Sequence, residues 1–327
     1  MENNNDYKES LKKEIEELES SPVQYDAEYV QETEAPEPKL GRVTSHIRDK
    51  EEELKEVNER IGYINLLMTN LPSKGRFYRN DMRISIRAAR VLEIREFSTM
   101  DENSILDVDE KLNSILNSCC RIEYGGRRGS HKDILEEDRL FIILSIRELT
   151  FATGENRLMI NAKCNNCKND NSYELRTNIL QYYNTDEYDK YYDEEYRAFK
   201  FETKSSGTIV MAPPTIGVMR TVTEYIKEKE EKKENWDKSF LQLLPYLQRD
   251  WRGFDKNGIF NANVEFNGWS ANKYSTVYRL AEKIRVGVKQ ELTCQCGNCD
   301  GEVTVPITFP GGIKGLFVIS DLSGELL

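Results

Sequence analysis

Cys164-Asn-Asn-Cys167 and Cys294-Gln-Cys296-Gly-Asn-Cys299 are the two stretches that decide how this chain is assembled. Each sets two cysteines two residues apart in a turn between extended segments. Leu158, Ile160 and Ala162 alternate with other residues up to Cys164, and extended sequence resumes over Ser172–Leu175. Val286–Leu292 and Val303–Phe309 flank the second turn in the same way. A two-residue spacer lets both sulfurs point to one side, about 2.3 Å from a tetrahedral metal, while turn amides donate to the thiolates. Gly297 and Asn298 tolerate positive φ and are expected to supply that backbone turn. Two such hairpins facing each other make a zinc ribbon, so Cys164, Cys167, Cys296 and Cys299 are expected to hold a structural Zn2+. About 130 residues separate the pairs, so the ribbon must be split by an insertion. Cys294 is the alternative to Cys296, which is preferred on spacing alone. A redox dithiol fits less well, because neither pair opens a helix after a strand. Four protein thiolates would close the coordination sphere and leave no position for substrate or activated water.

The net charge of −11 is unevenly spread over the 327 residues. Residues 1–40 hold twelve acids against four lysines, and their Asn, Ser and Pro content leaves little apolar surface to bury. Residues 1–44 are therefore expected to form an acidic, disordered tail. The rest is nearly balanced, without the basic stripe that displaces phosphate counterions, so nucleic acid is not an expected partner. No apolar run reaches bilayer-spanning length, and Met1–Ser10 shows no signal-peptide core. The expected location is the cytosol, where seven cysteines read as thiols or metal ligands.

Periodicity organises the remainder. Ile47, Leu54, Val57, Ile61 and Ile64 recur at helical steps, predicting a long amphipathic helix over residues 45–70, docked on the body or extended as a coiled-coil arm. Residues 71–150 read as a helical α+β domain. Within it Met82, Ile84 and Ile86 form a strand, 101–120 and 135–149 form helices, and Gly125–Gly129 makes a flexible basic loop. Cys119 and Cys120 read as core residues. Residues 151–180 plus 285–327 are the split ribbon, and 181–284 a helical insertion with helices near 216, 240–247 and 277–284. The expected fold class is thus α+β: a helical-majority body, a split zinc ribbon and a long N-terminal helix.

Signs of an enzyme are few. His46 and His131 have no nucleophile nearby in sequence and read as solvated. Gly125-Gly-Arg-Arg-Gly129 lacks the lysine and hydroxyl ending of a phosphate loop. Arg127 and Arg128 are alternative candidates for contact with an acidic partner or a phosphate. Asp138 and Arg139, at the head of a helix, read as capping and surface pairing.

Two segments carry a family likeness: Leu71-Pro-Ser-Lys-Gly-Arg-Phe-Tyr78 before an alternating strand, and Asp138-Arg-Leu-Phe-Ile-Ile-Leu-Ser-Ile-Arg147 before a strand and a CxxC turn. In this order, over roughly residues 65–180 and the C-terminal cysteine hairpin, the chain resembles the T4-like bacteriophage baseplate hub and hub assembly protein family. The resemblance implies a non-enzymatic viral protein, a baseplate component or an assembly chaperone. Its partners would be other phage baseplate and tail proteins, with no small-molecule substrate, no membrane and no catalytic residues. It would act in the host cytoplasm during assembly and could remain in the tail baseplate. The N-terminal extension and the insertion depart from the family pattern. A second reading is a zinc-ribbon adaptor in transcription or nucleic-acid handling, although the residues around the cysteine turns are nearly balanced or acidic.

Overall fold

The computed structural model describes residues 62–318, except 153–155, 205–206 and 310. The expected tail over 1–44, and the expected N-terminal helix as far as residue 61, lie outside this range. The end of that helix needs correction: Ile64–Leu66 is a strand, β1, and Met68–Asn70 a 3-10 turn. Ile64 therefore does not extend a helical seam. Ile64 instead pairs with Ile86 of β2 (Arg83–Ile86).

β2 pairs next with β3 (Cys120–Tyr124), and β3 with β4 (Arg127–Arg128), giving a four-stranded antiparallel sheet in the order β1-β2-β3-β4. The expected flexible loop at Gly125–Gly129 is in fact this tight hairpin. Gly125 and Gly126 both adopt positive φ, at 58° and 67°, as a two-residue connection of primed type requires. Between β2 and β3 the chain forms α1 (Val91–Ser98) and α2 (Ile105–Cys119). Ser104 caps α2 by accepting from the Asp107 amide, and Ile115, Leu116 and Cys119 form its buried face.

The central helix α3 (Glu136–Thr150) is buried over most of its circumference, including Asp138, Arg139, Ser145 and Arg147. Asp138 is fully buried and not a surface cap. Its carboxylate accepts from the Ser73 amide (2.9 Å), the Ser73 hydroxyl (2.6 Å) and the Tyr78 hydroxyl (2.7 Å). Tyr78 in turn accepts from the Leu135 amide at 2.9 Å. The Pro-Ser-Lys-Gly turn is thereby fixed to the head of α3. Arg139 is likewise buried and reaches Asp109 on α2 at 2.6 Å. Neither side chain is the exposed group its charge suggested, because its partner comes from a distant part of the chain.

After α3 come the antiparallel hairpin β5 (Met159–Lys163) with β6 (Asp170–Glu174), then a segment up to β7 (Tyr192–Asp193). β7, β8 (Ala198–Thr203) and β9 (Gly207–Met211) form a three-stranded sheet, so the insertion is not purely helical. Four helices follow: α4 (Ile216–Glu231), α5 (Lys238–Leu247), α6 (Lys256–Asn267) and α7 (Ala271–Lys283). The final hairpin is β10 (Glu291–Gln295) with β11 (Glu302–Pro306).

One continuous core joins the 71–150 region to both cysteine hairpins. It runs from Ile84, Leu116 and Ile142 to Ile160, Leu292 and Val305. The insertion has apolar clusters of its own, one around Phe199, Met211 and Val277 and one around Val222, Phe240 and Ile259. It joins the main body where Leu135 bridges Thr215 and the Ile216 amide donates to the Ile134 carbonyl at 2.8 Å.

Tyr78→Phe should cost roughly 2 kcal/mol, since it strands the buried Leu135 amide and one Asp138 lone pair. Asp138→Ala should cost more, because it leaves the Ser73 amide, the Ser73 hydroxyl and the Tyr78 hydroxyl without their acceptor inside the protein. Urea unfolding followed by circular dichroism would measure both, and a Tyr78→Phe variant as stable as the parent would contradict this account.

Candidate metal centre

The two cysteine turns have the same backbone construction. Cys164 follows β5; its amide donates to the Asn169 carbonyl at 2.9 Å, and its carbonyl accepts from the Lys168 amide at 3.0 Å. Cys296 follows β10, with its amide on the Gly301 carbonyl at 2.8 Å and its carbonyl accepting from the Asp300 amide at 3.2 Å. Each turn closes through a left-handed residue at the equivalent place, Lys168 with φ 61° and Asp300 with φ 53°. The expectation that Gly297 and Asn298 take positive φ is therefore corrected. The strained position lies one residue beyond the second cysteine, outside the spacer.

The sulfurs of Cys164, Cys167, Cys296 and Cys299 all lie within 4.8 Å of one another. Across the turns, Cys164 Sγ is 3.7 Å from Cys299 Sγ and Cys167 Sγ is 3.6 Å from Cys296 Sγ. Four thiolates around a tetrahedral ion with bonds of about 2.3 Å have edges of about 3.8 Å. The two cross-turn separations match edges of such a polyhedron and are far beyond a disulfide bond of about 2.0 Å. Cys164 and Cys296 are buried, while Cys167 and Cys299 are half-buried.

Cys294 is not a member of the cluster. It pairs with Val303 within the β10–β11 ladder, on the same side of the strand as the buried Leu292, and burial pushes its thiol up. The choice left open by spacing thus falls on Cys296. Cys119 and Cys120 are buried as expected, with thiols held well above their ordinary range chiefly by burial.

Polar neighbours orient the sulfurs. The Asn298 amide points at Cys296 Sγ (3.4 Å), and Asn166 Nδ2 points at Cys299 Sγ (3.6 Å). Cys296 is pushed down to about 6, first by the Asn298 amide and then by the Cys299 amide. Cys167 is lowered by the Asn169 amide and the Asn298 side chain. At Cys299 the Gly301 amide favours the thiolate, but crowding by the other sulfurs holds the thiol up to about 11. Unequal neighbours of this kind are what four close thiols give before a cation joins them, and a bound cation would favour all four thiolates together.

Further bonds tie the hairpins to each other independently of the sulfurs. Tyr173 Oη donates to the Gln295 carbonyl at 2.8 Å, and the Gly297 amide donates to Asn171 Oδ1 at 3.0 Å. The roles of Asn166, Asn171 and Tyr173 were not evident from sequence, because each partner lies more than 120 residues away.

Other sequence candidates do not assemble into a site. His46 lies outside the described residues. His131 is half-buried, not solvated, and burial beside Lys132, Arg139 and Arg220 pushes it down to about 4. Arg127 and Arg128 are exposed on β4. Among the described residues no helix is long and apolar enough to cross a membrane. No protein-family model, curated protein or solved structure matches this chain.

Cys296→Ser and Cys164→Ser should each abolish stoichiometric metal and destabilise the chain by more than about 3 kcal/mol, whereas Cys294→Ser should retain both. Metal content by atomic emission and melting by circular dichroism distinguish them. Loss of metal from Cys294→Ser with retention in Cys296→Ser would reverse the assignment.

Proposed function

We propose that this chain is a non-enzymatic bacteriophage tail protein, a baseplate hub component or an assembly chaperone, whose four-cysteine centre holds structural zinc. One observation carries the reading: the two segments that bear the family likeness are a single physical unit. Ser73 and Tyr78 of the first segment are the hydrogen-bond donors to Asp138, the first residue of the second. Motifs that meet at one buried carboxylate are better grounds for a family likeness than two unconnected matches.

The donor set supports a structural metal. An all-thiolate tetrahedron suits zinc or iron, and of these zinc needs no redox partner. A sphere filled by Cys164, Cys167, Cys296 and Cys299 has no place for an activated water, so the centre acts by joining two hairpins distant in sequence. On this reading the partners are other baseplate or tail subunits, met in the host cytoplasm. Nucleic acid, membrane and small-molecule substrates play no part.

Purified protein should contain one zinc per chain and be colourless; visible thiolate-to-iron absorption would replace zinc with iron. Quantitative mass spectrometry of infected-cell lysate and purified particles tests the role. A fixed ratio to baseplate proteins in particles marks a structural subunit, and association with them in lysate alone marks a chaperone. Association with neither would refute the tail reading. Tight, salt-sensitive DNA or RNA binding in a filter assay would favour a nucleic-acid adaptor instead.

A further inference from the structure

The four clustered sulfurs differ in exposure, and the difference is ordered. Each contact across the turns joins a buried sulfur to a half-buried one: Cys164 to Cys299 at 3.7 Å, and Cys296 to Cys167 at 3.6 Å. Gly301 lies beside Cys299, so close that a Cβ would stand 3.4 Å from its sulfur, and it puts no side chain over that thiol. An accessible sulfur backed by a buried one lets a small oxidant reach the first while the second completes a disulfide.

The two hairpin tips face each other through contacts that need no sulfur. Tyr173 Oη donates to the Gln295 carbonyl and the Gly297 amide to Asn171 Oδ1. Ile160, Leu292, Val303 and Val305 lie in one core. The tips therefore stay together while the sulfurs change partners. Within each turn the backbone is already closed, by the Lys168 amide on the Cys164 carbonyl and the Asp300 amide on the Cys296 carbonyl. Drawing the two sulfurs of one turn together works against that closure. A bond across the turns asks only that two side chains approach by about 1.6 Å, from 3.6 Å to a disulfide length of about 2.0 Å.

We propose that the four cysteines are also a modification site for hydrogen peroxide, which converts the centre into two disulfides across the turns, Cys164 with Cys299 and Cys167 with Cys296. The Cys299 thiolate attacks one peroxide oxygen; the O–O bond breaks, a sulfenic acid forms and hydroxide leaves. The Cys164 thiolate then attacks that sulfenyl sulfur; the S–S bond forms, the S–O bond breaks and a second hydroxide leaves. Two electrons pass from the sulfurs to the peroxide, and two protons from solvent turn both hydroxides into water. Cys167 and Cys296 react in the same way with a second peroxide. Neutral disulfides are poor ligands, so the metal is released while the hairpins stay joined, now by covalent bonds. The proposal rests on the reading of the cluster as a zinc centre and adds what holds the hairpins together in oxidising surroundings.

The test treats the full zinc-loaded chain with hydrogen peroxide, follows zinc release with a chromogenic chelator, alkylates the remaining thiols and digests without reduction. Trypsin cleavage after Lys163, Lys168, Lys289 and Lys314 puts Cys164 and Cys167 on one peptide and Cys294, Cys296 and Cys299 on another. One zinc should be released for every two peroxides consumed. Mass spectrometry should find the two peptides linked, with fragmentation placing the bonds at Cys164 with Cys299 and Cys167 with Cys296. Cys119, Cys120 and Cys294 should carry the alkyl group. By circular dichroism the oxidised chain should melt close to the zinc-loaded one, and the reduced chain stripped by a chelator roughly 10 °C or more lower. Bonds within the turns, the opposite cross-turn pairing, a bond to Cys294, sulfinic acids in place of disulfides, or an oxidised chain that melts as low as the stripped one would each overturn the proposal. Untreated protein without zinc would sink the zinc reading instead, and the peptide map would still decide this one.

Discussion

A single buried carboxylate holds together the parts of this chain that sequence keeps apart. Asp138 lies in the first turn of the central helix and takes three donors from a turn some sixty residues earlier. Burial pushes its carboxyl up to about 6, and the Ser73 and Tyr78 hydrogen bonds pull against that shift. A bare charge in this position would cost several kcal/mol; with each donor in place the position becomes specific, because only the native arrangement of turn and helix satisfies it. The constraint passes onward. Tyr78 also takes the Leu135 amide, and Leu135 bridges to Thr215, where the insertion helices begin. The geometry of turn, central helix and insertion thus meets within one hydrogen-bonded group.

The cysteine hairpins obey a second constraint of a different kind. Their apolar faces, with Ile160 on β5, Leu292 on β10, and Val303 and Val305 on β11, belong to the same core as α2 and α3. Apolar burial therefore brings them to the body, and the four sulfurs set how the two tips face each other. Cys164 and Cys296 serve both purposes, being part of the core and of the four-cysteine cluster. Substituting either one with serine removes a sulfur from the cluster and also leaves a polar group inside the apolar packing.

Periodic signals made much of this architecture legible. The apolar faces of α2, α3, α5 and α7 and the alternation in β2 and β5 lie where their patterns pointed. The clustering of the four cysteines was also legible, because CxxC spacing is itself a statement of local geometry. What escaped depended on partners distant in sequence or on backbone sign. The β3–β4 hairpin hid behind Gly125-Gly126, read as looseness although both glycines serve a tight turn. The strands β7 and β8 fall in a stretch read as a helical insertion, because each is too short to show a clear alternation. α6 has only one fully buried side chain, Ile259, and so no apolar stripe to announce it. Asp138 and Arg139 looked like surface charges because their partners lie elsewhere in the sequence. The likeness of the Ser73 and Asp138 segments was visible, but the bond between them was not.

The distance in sequence between the two cysteine turns also has a consequence in time. During synthesis Cys164 and Cys167 emerge about 130 residues ahead of Cys296 and Cys299, and at typical elongation rates the interval is on the order of ten seconds. Over that interval the leading pair is a half-site. Two thiolates can hold a metal loosely, with open positions that another molecule's cysteines could fill. On the proposal that the cluster holds a metal, formation of the correct centre is a race between the arrival of the trailing hairpin and capture by a neighbouring nascent chain. The hydrogen bonds from Tyr173 to Gln295 and from Gly297 to Asn171 favour the chain's own partner, because they give the right hairpin a reason to stay before any metal joins the two.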